Sequence, residues 1–190
     1  MLDKVNMDPV RLEYERIMVC AAGRGNDETL ACMLASWQEG RGVMPDNFGF
    51  NPHTFITLLA MHFPGLDGDS LCQPGRSTDV TRSDEHEDVY RLLVGGRAGN
   101  SESELWMAEI VARSCQGQDH LWQDMGLWSR DQLSELMMRN FPALASRNVN
   151  NMKWKKFIYR QLCVTEGIYT CRAPSCEVCV DYDNCFAPED

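Results

Sequence analysis

Asn51-Pro-His-Thr-Phe-Ile-Thr-Leu-Leu-Ala-Met-His-Phe-Pro-Gly-Leu66, written NPHTFITLLAMHFPGL, carries a complete helix signal from cap to stop. Asn51 has the short polar side chain that accepts a hydrogen bond from a first-turn amide, and Pro52 fits the first helical position, where its missing N–H costs nothing. Phe55, Leu58, Leu59 and His62 recur at helical spacing, and Pro64-Gly65 ends the run. A shift of 78 residues lays this stretch, without a gap, over SRDQLSELMMRNFPAL at 129–144. LLAMHFPGL then covers LMMRNFPAL, Asn51 coincides with Ser129, and Ser36 and Gln38 fall on Ser114 and Gln116. Two readings fit: a duplicated helical hairpin, or two amphipathic hairpins ending in Phe-Pro that share only a pattern.

The same grammar extends outward. Asp8-Pro9 opens a helix with Val10, Tyr14, Ile17 and Ala21 on one face and Gly23 as its stop; Asn26 opens another that carries Leu30, Met33, Leu34 and Trp37 to Gly40. Residues 67–82, rich in Gly, Ser, Thr and Asp, predict a loop, with a helix resuming at Ser83. Ser101 with Glu104, and Ser129 with Gln132, have capping-box spacing before apolar runs. A last helix is expected from about Asn150 to Cys163, with Trp154, Phe157, Ile158 and Leu162 as its apolar stripe and Lys153, Lys156 and Arg160 on another face. No run alternates with strand period, so the expected class is all-α: a helical domain over 1–165, then a cysteine-rich loop and tail over 166–190.

The 190 residues carry 44% hydrophobic and 24% charged side chains, ordinary for a globular chain able to bury a core. No window reaches the roughly 20 apolar residues of a membrane span, and the start lacks the apolar run of a signal peptide. The expected location is the cytoplasm. A net charge of −10 argues against nucleic-acid or anionic-membrane partners. That charge is uneven: from Arg147 to Arg172 six basic residues (Arg147, Lys153, Lys155, Lys156, Arg160, Arg172) face one acid, Glu166, giving +5 there and −15 elsewhere.

Nine cysteines in a reducing compartment point to metal rather than disulfides. Cys20, Cys32, Cys72 and Cys115 are scattered and expected to be small buried hydrophobes. Cys171, Cys176, Cys179 and Cys185 form C-x4-C-x2-C-x5-C within CRAPSCEVCVDYDNC. Four soft thiolates on one short loop suit an iron-sulfur cubane, whose corners lie several ångströms apart; zinc sites more often pair two knuckles across a spacer. Spacing alone leaves an iron-sulfur cluster, zinc or redox thiols open.

Other candidates have ordinary alternatives beside them. Cys163 reads as a helix-end core thiol or a fifth ligand, and His62 as a buried hydrogen-bonded residue rather than a ligand. His120, in a loop five residues from Cys115, is the best histidine for metal, with a plain loop role against it. His53 and His86 fall in first helical turns, where solvated roles are expected. No phosphate loop, nucleophile elbow or dinucleotide glycine run is present.

Two segments, HLWQDMGLWSRDQLSELMMRNFPALASRN (120–148) and MKWKKFIYRQLCVTEGIYTCRAPSCEVCVDYDNCF (152–186), closely resemble the NifQ family of nitrogen-fixation proteins. The resemblance implies a molybdenum-iron-sulfur carrier that supplies molybdenum for the iron-molybdenum cofactor of nitrogenase, and is not a turnover enzyme. It implies the cluster on Cys171, Cys176, Cys179 and Cys185, and as partners the nitrogenase cofactor scaffold complex and the nitrogenase iron protein. Molybdate, a dianion, would be the metal source. Lys153, Lys156, Arg160 and Arg172 are the candidates for steering it in or for docking an acidic partner. An iron-sulfur electron carrier or redox sensor, and a zinc-stabilised interaction module, are the alternatives from other classes.

Overall fold

The computed structural model describes residues 8–71, 73–77, 83–149 and 151–166. Among these every regular element is helical: α1 (Pro9–Met18), α2 (Asp27–Gln38), α3 (Pro52–His62), α4 (Ser83–Gly95), α5 (Ser103–Ser114), α6 (Leu121–Asp124), α7 (Arg130–Asn140), α8 (Pro142–Ala145) and α9 (Trp154–Glu166). A one-turn 3-10 segment, Gly68–Ser70, and a tight turn, Asp46–Gly49, in which Asn47 and Phe48 hold φ of +53° and +56°, fall between them. The cysteine-rich part of the chain, with Cys171, Cys176, Cys179, Cys185 and Arg172, lies outside the described residues, as does Cys72.

Helices α2 and α5 are the centre. Both are apolar around most of their circumference, which a helix tolerates only when other elements cover it. Leu30, Met33, Leu34 and Trp37 of α2 and Met107, Ile110 and Val111 of α5 are almost fully buried, as are Cys32 and Cys115. Helix α1 packs along α2, α4 along α5, and α9 against α4.

The caps largely follow the sequence signals. The Asp8 carboxylate accepts from the Val10 amide at 3.2 Å, Asn51 Oδ1 from the Thr54 amide at 3.0 Å, and Ser129 Oγ from the Gln132 amide at 3.2 Å. Helices α3 and α7 have the same length and end alike, with Phe63 at φ −135°, ψ 63° and Phe141 at φ −132°, ψ 52°. Their last side chains, His62 and Asn140, both point into the centre, His62 to Ser103 at the start of α5 and Asn140 to Asn26 at the start of α2.

Four expectations are corrected or refined. Helix α1 stops at Met18, short of Ala21 and Gly23, because Cys20 and Ala21 close turns onto Ile17 and Met18. Asn26 does open α2 as its N-cap residue, but without a side-chain cap: its side chain is spent on Ser103 (3.0 Å) and Asn140 (2.7 Å), and Asp27 accepts from the Arg24 amide. Before α5 only the carboxylate half of the box closes onto Ser101: Glu104 accepts from the amides of Gly99, Asn100 and Ser101, while Ser101 Oγ takes the Ser103 amide. Helix α9 starts at Trp154, not near Asn150. Asn151 holds φ +52°, and Asn148 binds both the amide and the carbonyl of Met152, so the chain turns there before it winds.

Candidate functional site

The root of α9 is where the structure meets the functional reading, because the four-cysteine segment follows this helix in the chain. Trp154, Phe157, Ile158 and Leu162 face the core as the stripe predicted. The start is held from two sides. Arg130 donates to the carbonyls of Asn151 and Met152 and to the Asn151 side chain. Lys155 donates to the Gly117 carbonyl at 2.8 Å and forms an ion pair with Asp124, whose side chain is 2% exposed against 17% for the lysine.

Burial pushes the Asp124 carboxyl above its ordinary range, and the Lys155 ammonium pulls against that shift. Glycine is required nearby: a Cβ on Gly117 would come within 2.4 Å of the Asp124 carboxylate. Sequence reasoning counted Lys155 in the charge of the basic island and left it out of the steering set. The structure spends it on a buried pair, and Asp124, 31 residues away in sequence, gives no local signal of that role.

The predicted steering residues are only partly assembled. Lys156 and Arg160 stand one turn apart on α9, Lys153 just precedes the helix, and Arg160 lies against Met152 Sδ at 3.5 Å. Lys153 and Arg160 are exposed and Lys156 half-buried. Arg172 lies outside the described residues.

The remaining metal candidates separate. Cys115 is fully buried at the end of α5, Cys163 is 8% exposed within α9, and His120 is exposed at the head of α6, where its amide donates to Gln123. Among the described residues no group of three or more His, Cys, Asp or Glu is arranged to hold a metal ion. His53 is exposed as expected. His86 is not solvated: its imidazole meets Glu109 at 3.1 Å, and Glu109 also pairs with Arg113. Burial raises the Glu109 carboxyl, and these two partners more than reverse it, leaving it below the usual range.

One buried constellation has the outline of a hydrolytic triad. Asp27 Oδ1 lies 2.6 Å from His62 Nδ1, and His62 Nε2 lies 2.9 Å from Ser103 Oγ. Its setting assigns it to structure. His62 is 1% exposed and Ser103 3%, and the serine hydroxyl also accepts from Asn26, so no substrate can approach it. Burial lowers the His62 pKa, with Asp27 opposing, which fits a neutral ring donating to Asp27 and accepting from Ser103. The group ties the start of α2, the end of α3 and the start of α5 together.

No helix among the described residues is long and apolar enough to cross a membrane. No solved structure matches the chain significantly. The NifQ family model matches residues 29–187, from the start of α2 to beyond Cys185. The chain is 43% identical to Protein NifQ of Azotobacter vinelandii over 176 residues, covering 87% of this chain and 90% of the relative. It is 35% identical to Protein NifQ of Rhodobacter capsulatus, covering 84% and 87% of the two chains, and 35% identical to Protein NifQ of Klebsiella pneumoniae, covering 79% and 92%. A helical body ending in α9, a four-cysteine segment behind it, and matches that cover most of both chains lead to one assignment: the chain belongs to the NifQ family.

Proposed function

We propose that this protein is a cytoplasmic molybdenum-iron-sulfur carrier that donates molybdenum to assembly of the nitrogenase iron-molybdenum cofactor. The observation that carries the reading is that the family match runs through residue 187 and so spans Cys171, Cys176, Cys179 and Cys185. Four thiolates are the donor set that iron-sulfur clusters take, and their sulfurs also suit molybdenum as a soft-ligand site. The helical body supplies a fixed base for that segment through α9. Delivery is to the nitrogenase cofactor scaffold complex, with the nitrogenase iron protein taking part, and molybdate is the source. Lys153, Lys156, Arg160 and Arg172 reverse the local sign of an acidic protein and so favour approach of a dianion.

The equal lengths of α3 and α7 and their matching Phe63 and Phe141 ends support a duplicated helical hairpin as the origin of this part of the body. In aligned relatives the polar pair at positions 62 and 140 would then be kept together with their partners; independent drift would refute the duplication.

The functional reading is tested on protein purified without oxygen, by elemental analysis and absorption, beside a Cys176→Ser/Cys179→Ser variant. Molybdenum with several irons per chain, lost in the variant, is the expected result. Iron alone would instead identify an electron carrier, and zinc alone a structural module. On the same protein, Lys153→Glu/Lys156→Glu slows molybdate loading; an unchanged rate refutes steering.

A further inference from the structure

A cleft of about 570 Å³ opens between the start of α1, the end of α2 and the α6 segment. Its walls include Arg11, Arg41, Trp122 and Trp128, with Asp8 and Asp119 at the side. That volume is in the range that holds two or three side chains or a small molecule. Trp128 is a fixed wall: its indole N–H donates to Ser36 Oγ at 3.2 Å, Tyr14 meets it edge-on at 5.0 Å, and Arg11 lies over the ring at 4.6 Å. Arg41 reaches Asp8 at 3.4 Å, with both side chains about half exposed (54% and 53%), a loose pair that another carboxylate can displace at little cost.

Val89, the counterpart of Arg11 under the 78-residue shift, is 1% exposed and packed in the core, whereas Arg11 is held out over Trp128.

Charge selects the occupant. Arg11 and Arg41 stand in the lining against Asp8, Asp119 and Asp124, the last already paired with Lys155 outside it, so the lining has no positive excess and gives a free dianion little attraction. Tryptophan and arginine around a partly closed cleft, flanked by mixed charges, are instead the makeup of a protein-docking anchor. We propose that this cleft receives a polypeptide segment of a protein partner, one that brings a carboxylate onto Arg41 and Arg11 and an apolar side chain against Trp122. Resting on the carrier reading, we identify the partner as the nitrogenase cofactor scaffold complex. The place is suited to a delivery step: Asp124 forms part of the cleft wall and also grips Lys155 at the root of α9, so the docked segment lies one side chain from the helix that leads to the cysteines.

The test uses the full chain purified without oxygen, immobilised, with purified scaffold complex as the probe. Arg11→Glu/Arg41→Glu and, separately, Trp122→Ala weaken binding at least about ten-fold, as hot-spot residues do. Arg91→Ala, an exposed arginine on α4, leaves it unchanged. Helical circular dichroism and melting check the fold; if Trp122→Ala unfolds, the arginine variant, exposed at both positions, carries the test. Binding by the cleft variants within two-fold of the unsubstituted chain overturns the docking site while leaving the carrier reading intact. No binding by the unsubstituted chain overturns the docking site too, and its molybdenum content then decides separately whether the carrier reading survives. Molybdate-induced quenching of tryptophan fluorescence that is lost in the arginine variant, with partner binding unaffected, overturns docking in favour of a small oxyanion site.

Discussion

Replacing Lys155 with methionine keeps the length and most of the apolar stem while removing the ammonium. It leaves the Asp124 carboxylate at 2% exposure without its cation. Removing one partner of a buried pair typically costs 3–5 kcal/mol, because the remaining charge is stranded. The carboxylate has an escape: it can take a proton in the folded state. From an ordinary value of 3.8, holding it protonated at pH 7 costs about 1.36 kcal/mol for each of roughly three pH units, which caps the penalty near 4 kcal/mol. Lys155 is 17% exposed, so water already screens part of the pair, and the expected loss is about 3 kcal/mol at pH 7. The cap also fixes the pH dependence. In the variant the folded-state carboxyl lies above its unfolded value, so the folded chain binds the extra proton and loses stability as pH rises through that window. Urea denaturation at pH 5.5 and pH 8 therefore shows a smaller deficit at the lower pH. A deficit under about 0.5 kcal/mol at pH 8, or one equal at both, would refute the reasoning.

Two further outcomes follow from neighbouring contacts. His62→Phe strands Asp27 and Ser103 in the core and costs about 2–4 kcal/mol by thermal or urea unfolding. Because burial lowers the His62 pKa, the unfolded chain protonates first as pH falls below about 6.5; native stability is lost toward acid, and this part of the pH slope disappears in the variant. Gly117→Ala drives a methyl into the Asp124 carboxylate at 2.4 Å, and the side chain it displaces is the one that holds Lys155. Its cost should approach that of Lys155→Met and should not add to it in the double variant; full additivity would show the two to be independent.

The helix pattern was legible because the signals are local. Asn51-Pro52 and the two Phe-Pro ends act within one turn of themselves, and α3 and α7 stand where those residues place them. What failed was whatever depends on a distant partner. Asn26 has the composition of a cap, yet its amide is drawn to Ser103 and Asn140, 77 and 114 residues away. His86 looks solvated in its own turn and is claimed by Glu109 on α5. Trp122 and Trp128 have the spacing and apolarity of core residues, and only packing shows that they line a cleft. Of the candidate site, the cysteine spacing was visible in the sequence, while the anchoring of the helix in front of it was not.

The basic island shows why charge counting and geometry differ in function. Lys155 is neutralised by Asp124, so it contributes stiffness at the root of α9 rather than attraction for an anion. Asp124 in turn is shared between that root and the cleft. A partner segment in the cleft that strengthens or weakens the hold on Lys155 therefore acts on the helix in front of the cysteines. A ligand moves an equilibrium only by the difference in its affinity for the two states, so this coupling cannot exceed what the clamp contributes net, and the truncation cost of about 3 kcal/mol is its upper bound. Linkage then requires reciprocity: if docking alters cargo affinity through α9, loading the cargo alters partner affinity by the same factor. On the proposed carrier function, such a chain would distinguish its loaded from its empty form without direct contact between partner and metal, and the Lys155→Met variant would bind the partner equally in both forms.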